Sequence, residues 1–68
     1  MGTFGQRLKQ LRIDNNISQA TLAEYVGVSR IAISWWEQDK KVPTLYYAAA
    51  VAKYFGVTLD YLAGLEDD

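Results

Sequence analysis

Apolar residues recur at helical spacing along most of the chain. Phe4, Leu8 and Leu11 lie at positions i, i+4 and i+7, which places them on one face of a helix. The same period predicts four further helices and no strand. The expected bounds are roughly 3–15, 19–26, 30–38, 45–55 and 59–63. The pattern therefore predicts an all-α fold, a compact five-helix bundle.

Each expected helix follows a residue with a hydroxyl group. These residues are Thr3, Ser18, Ser29, Thr44 and Thr58. A hydroxyl at the N-cap position can accept a hydrogen bond from an amide of the first turn. Gly27 and Gly56 lie after the second and fourth helices, where a positive φ often ends a helix. The connections are short, as expected of a bundle.

The inward faces of these helices define the expected core. It comprises Phe4, Leu8, Leu11, Ile17, Leu22, Ala23, Val26, Val28, Ile33, Trp36, Leu45, Ala48, Val51, Ala52, Phe55, Val57, Leu59 and Leu62. A chain of 68 residues with no cysteine has no disulfide to support it, so its stability must come from packing of this core.

The composition argues against an enzyme and against a metal or cofactor site. The chain contains neither His nor Cys, the usual ligands of structural zinc. Its serines have no adjacent base that would activate them as nucleophiles, and no Gly-rich phosphate loop is present. We therefore expect no catalytic residue, no cofactor and no small-molecule substrate.

Charge is unevenly distributed, although the net charge is only −1. Residues 1–41 carry six cations and four anions, a balance of +2, whereas residues 42–68 carry one cation and four anions, a balance of −3. This asymmetry favours a protein with one side turned towards DNA. No apolar run approaches the ~20 residues of a membrane span, so we expect a cytoplasmic protein without a membrane partner.

Residues 18–38 contain two short helical patterns joined at Gly27. Two helices about a Gly-containing turn match the DNA-binding helix-turn-helix. The segment SQATLAEYVGVSRIAISWWE, followed by a basic loop and Pro43, resembles the helix-turn-helix domain of lambdoid phage repressors and Cro proteins. The resemblance extends to Leu11-Arg12 before the motif, and to Phe55-Gly56-Val57 and Asp60-Tyr61-Leu62 after it.

The resemblance implies a lambda repressor-like DNA-binding domain over residues 1–68. Its function would be sequence-specific binding of double-stranded DNA by a transcriptional regulator, a phage or bacterial repressor. In such proteins the second motif helix lies in the major groove. By position, the base-contacting residues would be Arg30, Ile31, Ser34 and Trp35.

The helical period independently turns these four residues outwards, because Ile33 and Trp36 share the inward stripe. Arg30 can pair with guanine O6 and N7, and Ile31 can contact thymine methyl groups. The alternatives are a solvated arginine and an isoleucine packed on helix 2. Trp35 departs from the family, which usually has a polar or basic residue there. Its side chain has a single donor.

Phosphate contacts are expected from residues around this helix. They are Gln19, Ser29, Lys40, Lys41 and Thr44. Gln19 opens helix 2, where the helix terminus favours an anion, and the family uses a Gln there to bind phosphate. The alternative for Lys40 and Lys41 is a charged solvent loop, and for Thr44 a capping role alone. Asp39 replaces the Gly common in the family and adds negative charge near this side.

The resemblance also implies a structural ion pair between Arg12 and Glu37. It further implies a weak homodimer on a pseudo-palindromic operator, formed through the C-terminal part of the domain. The expected dimer residues are Tyr61, Leu62 and Leu65. Tyr46, Tyr47 and Tyr54 are expected to point outwards as well, and tyrosine is enriched at interfaces.

A protein-interaction module on the same fold, antirepressor or antitoxin-like, is the alternative function. The low net charge, Trp35 and the tyrosines of helix 4 favour it. Arg30, Gln19 and the two loop lysines favour DNA binding.

Overall fold

The computed structural model describes residues 2–66, which form five α-helices. They are α1 (Phe4–Asp14), α2 (Gln19–Val26), α3 (Arg30–Glu37), α4 (Leu45–Phe55) and α5 (Leu59–Leu62). The all-α prediction is confirmed, and each predicted helix end lies within one residue of the observed end. Positions 1, 67 and 68 of the predicted domain lie outside the described residues.

Four of the five predicted N-caps make the expected hydrogen bond. The acceptor hydroxyls belong to Thr3, Ser18, Ser29 and Thr58. Thr3 forms a capping box, because Gln6 Oε1 also accepts from the Thr3 amide at 3.1 Å. Thr44 has the backbone of an N-cap, but its hydroxyl makes no capping hydrogen bond. The predicted capping role of that hydroxyl is therefore wrong. Thr44 is exposed, so water can satisfy the first-turn amides of α4 instead.

Gly27 forms the turn between α2 and α3. Its φ is +88°, in the left-handed region where glycine carries no Cβ penalty. The amides of Gly27 and Val28 both donate to Ala23 O, at 2.8 and 3.0 Å. This turn reverses the chain within three residues and lays α3 across α2.

The core lies between all five helices. Its buried apolar residues are Leu8, Leu22, Ala23, Val26, Ile33, Trp36, Val51, Ala52 and Leu62. Each of them was expected there. Two other predictions are wrong, because Leu45 is 74% exposed and Leu59 is 37% exposed. Both residues begin a helix, and side chains of a helix lean towards its N-terminus. They therefore project beyond the packed layer.

Asp39 connects the end of α3 to the start of α1. Its φ of +59° is left-handed, a conformation that Asp tolerates better than most residues. Its carboxylate accepts hydrogen bonds from the Gly5 amide at 2.9 Å and from the Thr3 hydroxyl at 2.5 Å. An anion is stabilised at a helix N-terminus. The negative charge expected on the DNA-facing side is thus turned towards α1.

Gly5 allows α1 to approach the last turn of α3 closely. An ideal Cβ at this position would lie 2.5 Å from Trp36 O and 2.6 Å from Glu37 O. These are backbone atoms, so a clash with them cannot be relieved by a rotamer change. The glycine therefore sets the spacing between the two helices.

We expect Gly5→Ala to lower the free energy of unfolding by about 1–3 kcal/mol, since overpacking forces backbone shifts. Urea denaturation followed by circular dichroism measures this change. Lys9→Ala, at an exposed position of the same helix, is the control and should remain within about 0.5 kcal/mol of the parent. A Gly5→Ala protein as stable as the parent would contradict the close approach.

Candidate nucleic-acid interface

The outer face of α3 carries the four predicted base-contacting residues. Arg30 and Ile31 are exposed, Trp35 is 39% exposed and Ser34 is half-buried. The opposite face is anchored in the core by Ile33 and Trp36. The structure therefore brings the four residues together on one surface. Ile31 stands out there, because 52% of this large apolar residue faces solvent.

Ser34 is partly engaged within its own helix. Gln38 Nε2 donates to the Ser34 hydroxyl at 2.9 Å and to the Ser34 carbonyl at 3.1 Å. The serine hydroxyl keeps its own proton to donate. Sequence reasoning did not single out Gln38, although the spacing of four residues from Ser34 places both on one helix face.

Arg12 and Glu37 form the expected ion pair beneath this surface. Arg12 Nε and Nη2 donate to the two carboxylate oxygens at 2.5 and 3.1 Å, and Nη1 donates to Ile17 O at 2.9 Å. Only 3% of the Glu37 side chain is exposed. The hydrogen bond to Glu37 raises the pKa of the Arg12 guanidinium above its ordinary value. The pair joins α1, the segment before α2, and α3.

Gln19 connects this ion pair to the outer face of α3. Its Nε2 donates to Glu37 Oε1 at 3.0 Å, and its Oε1 accepts from Arg30 Nη1 at 3.0 Å. One side-chain N–H of Gln19 remains available, as does its backbone amide, which has no partner within α2. Gln19 thus has donors for a phosphate while it holds Arg30.

The loop after α3 folds back onto that helix. The Lys40 amide donates to Trp35 O at 2.9 Å, and the Lys41 ammonium lies 4.8 Å from the centroid of a Trp35 ring. Both lysines are exposed. The loop therefore places the Lys41 ammonium beside the exposed surface of Trp35.

Lys9 belongs to the same side of the molecule. A cavity of about 300 Å³ is lined by Lys9, Arg12, Gln19, Ser34, Glu37 and Gln38. Sequence reasoning did not select Lys9 as a site residue. The signal was its position three residues before Arg12, since residues three apart on a helix share a face.

Not all the cations of the first 41 residues contribute to this surface. Arg7 is 8% exposed, its guanidinium lies 4.6 Å from the Tyr61 ring centroid, and its Nε donates to Gly2 O. Arg12 is paired with Glu37. The positive charge around α3 therefore comes mainly from Lys9, Arg30, Lys40 and Lys41.

Ser29 and Thr44 flank the same region. The Ser29 hydroxyl accepts from the Ala32 amide at 3.1 Å and still has a proton to donate. The exposed Thr44 hydroxyl makes no capping bond. Both hydroxyls are thus able to donate to a phosphate oxygen.

The three predicted dimer residues differ in exposure. Leu62 is 1% exposed and packs in the core. Tyr61 is half-buried with its ring against Arg7, whereas Leu65 is 76% exposed. Leu62 lies on the inward face of the short α5, which closes the core, and its place at or near a dimer contact stays a prediction.

The outward orientation expected of the α4 tyrosines is also only partly right. Tyr47 and Tyr54 are half-buried. Their rings lie 6.1 Å from Trp36 and 4.5 Å from Tyr25, respectively, between centroids. Tyr46 alone of the three is fully exposed, at 78%. Most of the tyrosine surface is therefore used inside the domain.

A different surface exposes apolar groups. It is a groove of about 270 Å³ lined by Phe4, Val42, Pro43, Leu45, Ala48, Leu59, Leu62 and Ala63, here called the apolar groove. Val42 is 80% exposed and Leu45 is 74% exposed. Exposure of these two apolar side chains to solvent does not stabilise an isolated domain.

Over residues 2–66, no helix is long and apolar enough to cross a membrane. The same residues contain no group of three or more acidic side chains arranged to hold a metal ion.

A helix-turn-helix family model matches residues 8–62. The chain belongs to the helix-turn-helix family. It is 42% identical over 64 residues to the HTH-type transcriptional activator BcrR of Enterococcus faecalis, an alignment covering 94% of this chain and 31% of that protein. It is 35% identical to the uncharacterized HTH-type transcriptional regulator YobD of Bacillus subtilis, covering 96% of this chain and 58% of that protein. The chain thus spans about a third and about three-fifths of these two relatives.

The fold also matches a solved family structure along its whole length. The P22 c2 repressor protein in complex with a synthetic operator superimposes with a TM-score of 0.91 at 33% identity, covering 97% of this chain and 100% of that chain. The predicted resemblance to phage repressors is confirmed, as is the lambda repressor-like fold.

We expect Arg12→Met to destabilise the domain by about 3–5 kcal/mol, because it leaves the Glu37 carboxylate buried without its counter-ion. Chemical denaturation measures the loss. The double variant Arg12→Met/Glu37→Met removes the buried charge altogether and should recover most of the stability. Equal destabilisation by the single and double variants would show that the charge itself is not what matters.

Proposed function

We propose that residues 1–68 form a single DNA-binding domain of a transcriptional regulator, with its helix-turn-helix motif at residues 18–38. In this proposal α3 enters the major groove of a specific duplex. The observation that carries it is the outer face of α3, where an arginine and a large apolar side chain remain exposed on a helix whose other face is locked in the core. The operator complex of the P22 c2 repressor supports the same use of the fold.

In the groove, the exposed residues have distinct tasks. Arg30 donates two hydrogen bonds to guanine O6 and N7, and Gln19 holds the guanidinium in place from the side. Ile31 offers methyl groups to thymine, and Ser34 supplies a small donor beside them. Trp35 lies at the end of this row and borders the sugar-phosphate wall.

Around the helix, a ring of donors meets the backbone phosphates. Gln19 and Ser29 stand at the N-termini of α2 and α3, Lys40 and Lys41 lie in the loop, and Thr44 begins α4. Such contacts fix the orientation of a protein on DNA without reading its sequence. The proposal treats them as the source of affinity, and Arg30, Ile31 and Ser34 on α3 as the source of specificity.

Repression is the regulatory outcome that this domain can produce unaided, because a protein bound at a promoter blocks access sterically. A duplex-DNA ligand would place the protein in the cytoplasm of a bacterial cell or phage-infected host. The proposal includes no catalytic step and no cofactor.

A homodimer is proposed to read two half-sites of a pseudo-palindrome. Half-sites lie one helical turn apart, about 34 Å, whereas the longest dimension of the domain is 28 Å. One copy therefore cannot reach both. The apolar groove begins directly after the loop that holds Lys40 and Lys41, and residues 42–52 carry no charge that would repel a second copy. We assign the contact to this groove, with Leu65 and Tyr61 outside its centre.

Base reading by α3 is testable by binding measurements. Duplexes selected from a random pool should bind the protein with an affinity that falls steeply as salt rises, by about 0.9 in log–log slope for each phosphate neutralised. Arg30→Ala should cost about 1–3 kcal/mol and relax the base preference at one position of each half-site. Competition binding against a panel of single-base operator variants measures both.

Lys40→Ala is the matched control, because it removes a cation without removing a base contact. It should weaken binding to every duplex by a similar factor. No duplex binding at low salt would contradict the proposed function and leave the protein-interaction alternative. An Arg30→Ala protein with unchanged base preference would contradict the assignment of Arg30.

Dimer formation through the apolar groove is testable by substitution within it. Leu45→Glu places a carboxylate in the apolar groove on both sides of a two-fold contact, so it should shift the protein to monomer in sedimentation equilibrium and abolish cooperative filling of two half-sites. Tyr46→Glu, at an equally exposed neighbouring position outside the lining of the groove, should leave both properties close to those of the parent. If Tyr46→Glu disrupted the dimer and Leu45→Glu did not, the interface would lie on the tyrosine side of α4 instead.

A further inference from the structure

Trp35 is an unusual side chain for a surface that reads DNA. Its indole has one donor and no acceptor, so it cannot make the paired hydrogen bonds that distinguish bases. The indole is nevertheless held in the open, with 39% of the residue exposed. Its partner in the structure is Lys41, whose ammonium stacks over the ring at 4.8 Å.

The backbone brings this pair together. The amides of Gln38, Asp39 and Lys40 donate to Ser34 O, Trp36 O and Trp35 O at 3.1, 3.1 and 2.9 Å. The Asp39 carboxylate is tied to the Gly5 amide and the Thr3 hydroxyl. These hydrogen bonds tie the loop to α3 and to the start of α1. Lys41 follows directly in the chain, and its side chain lies beside Trp35.

A lysine side chain loses considerable rotamer freedom when it is ordered. Attraction between a cation and an aromatic face offsets part of that loss before any ligand arrives. The ammonium has three N–H donors, so it can bind a phosphate while it remains over the ring. Lys40 offers a comparison, because it has the same charge one residue earlier in the same loop.

We propose that Trp35 is a positioning residue for Lys41, and that the two side chains contact the DNA backbone as a unit at the C-terminal end of α3. This inference rests on the proposed function. It assigns Trp35 to phosphate binding through Lys41, in place of the base-contacting role predicted from its position in the motif.

A double-mutant cycle on a duplex selected with the parent protein tests the inference. The variants are Trp35→Leu, Lys41→Met and their combination, each measured at several salt concentrations. Lys41→Met should reduce the salt slope by about 0.9. Trp35→Leu removes no charge, yet it should reduce the slope in the same direction. The affinity loss caused by Lys41→Met should be about 2- to 5-fold smaller in the Trp35→Leu background.

Lys40→Met is the matched control and should cost the same factor with and without Trp35. Trp35→Phe keeps an aromatic face and should retain most of the salt slope. Without DNA, Lys41→Met should alter the fluorescence of Trp35 because it removes the ammonium that lies over the ring. Lys40→Met should not, since the Lys41 ammonium stays in place.

Additive losses in the cycle, or an unchanged salt slope for Trp35→Leu, would overturn the inference while the proposed function stands. A parent protein that binds no duplex would instead contradict the proposed function itself. Trp35 is exposed, so its variants are expected to fold, and circular dichroism checks this.

Discussion

The buried carboxylate of Glu37 is the constraint around which the candidate nucleic-acid interface is organised. A charge at this depth is tolerated only with a counter-ion and hydrogen-bond partners, and two residues supply them. Arg12 neutralises it from α1, and Gln19 donates to it from α2. Because side chains of three helices meet at one carboxylate, the helices cannot shift independently. These buried contacts therefore fix the orientation in which α3 presents its outer face.

This arrangement extends to the surface. The Gln19 side-chain amide donates to the buried Glu37 carboxylate and accepts from the exposed Arg30 guanidinium. The residue that helps to satisfy the buried charge therefore also orients Arg30. The opposite end of α3 is held in a different way, through Asp39 and the close approach at Gly5. Helix α3 is therefore fixed at both ends, while the side chains between them remain open to a ligand. Pre-organisation of this kind reduces the entropy that binding must overcome.

The distribution of charge explains how a protein with a net charge of −1 can face a polyanion. Two anions near α3 have partners within the fold: Glu37 is paired with Arg12, and the Asp39 carboxylate accepts a hydrogen bond from the Gly5 amide at the start of α1. The remaining cations of that side face solvent. Net charge is a property of the whole chain, whereas phosphate contacts depend on the side chains within a few ångströms of the backbone.

Much of the fold, and the exposed face of α3, was predictable from the residues alone. Helical period, hydroxyl caps and Gly27 determined five helices and their ends, because these signals act within a few residues of the chain. They also determined which face of α3 is buried and which is exposed. Leu45 and Leu59 show where such signals stop. A periodic pattern selects a face of a helix, but whether a neighbouring element covers that face depends on tertiary packing. The same reason applies to the Trp35–Lys41 contact, because only the folded loop decides that these two side chains meet.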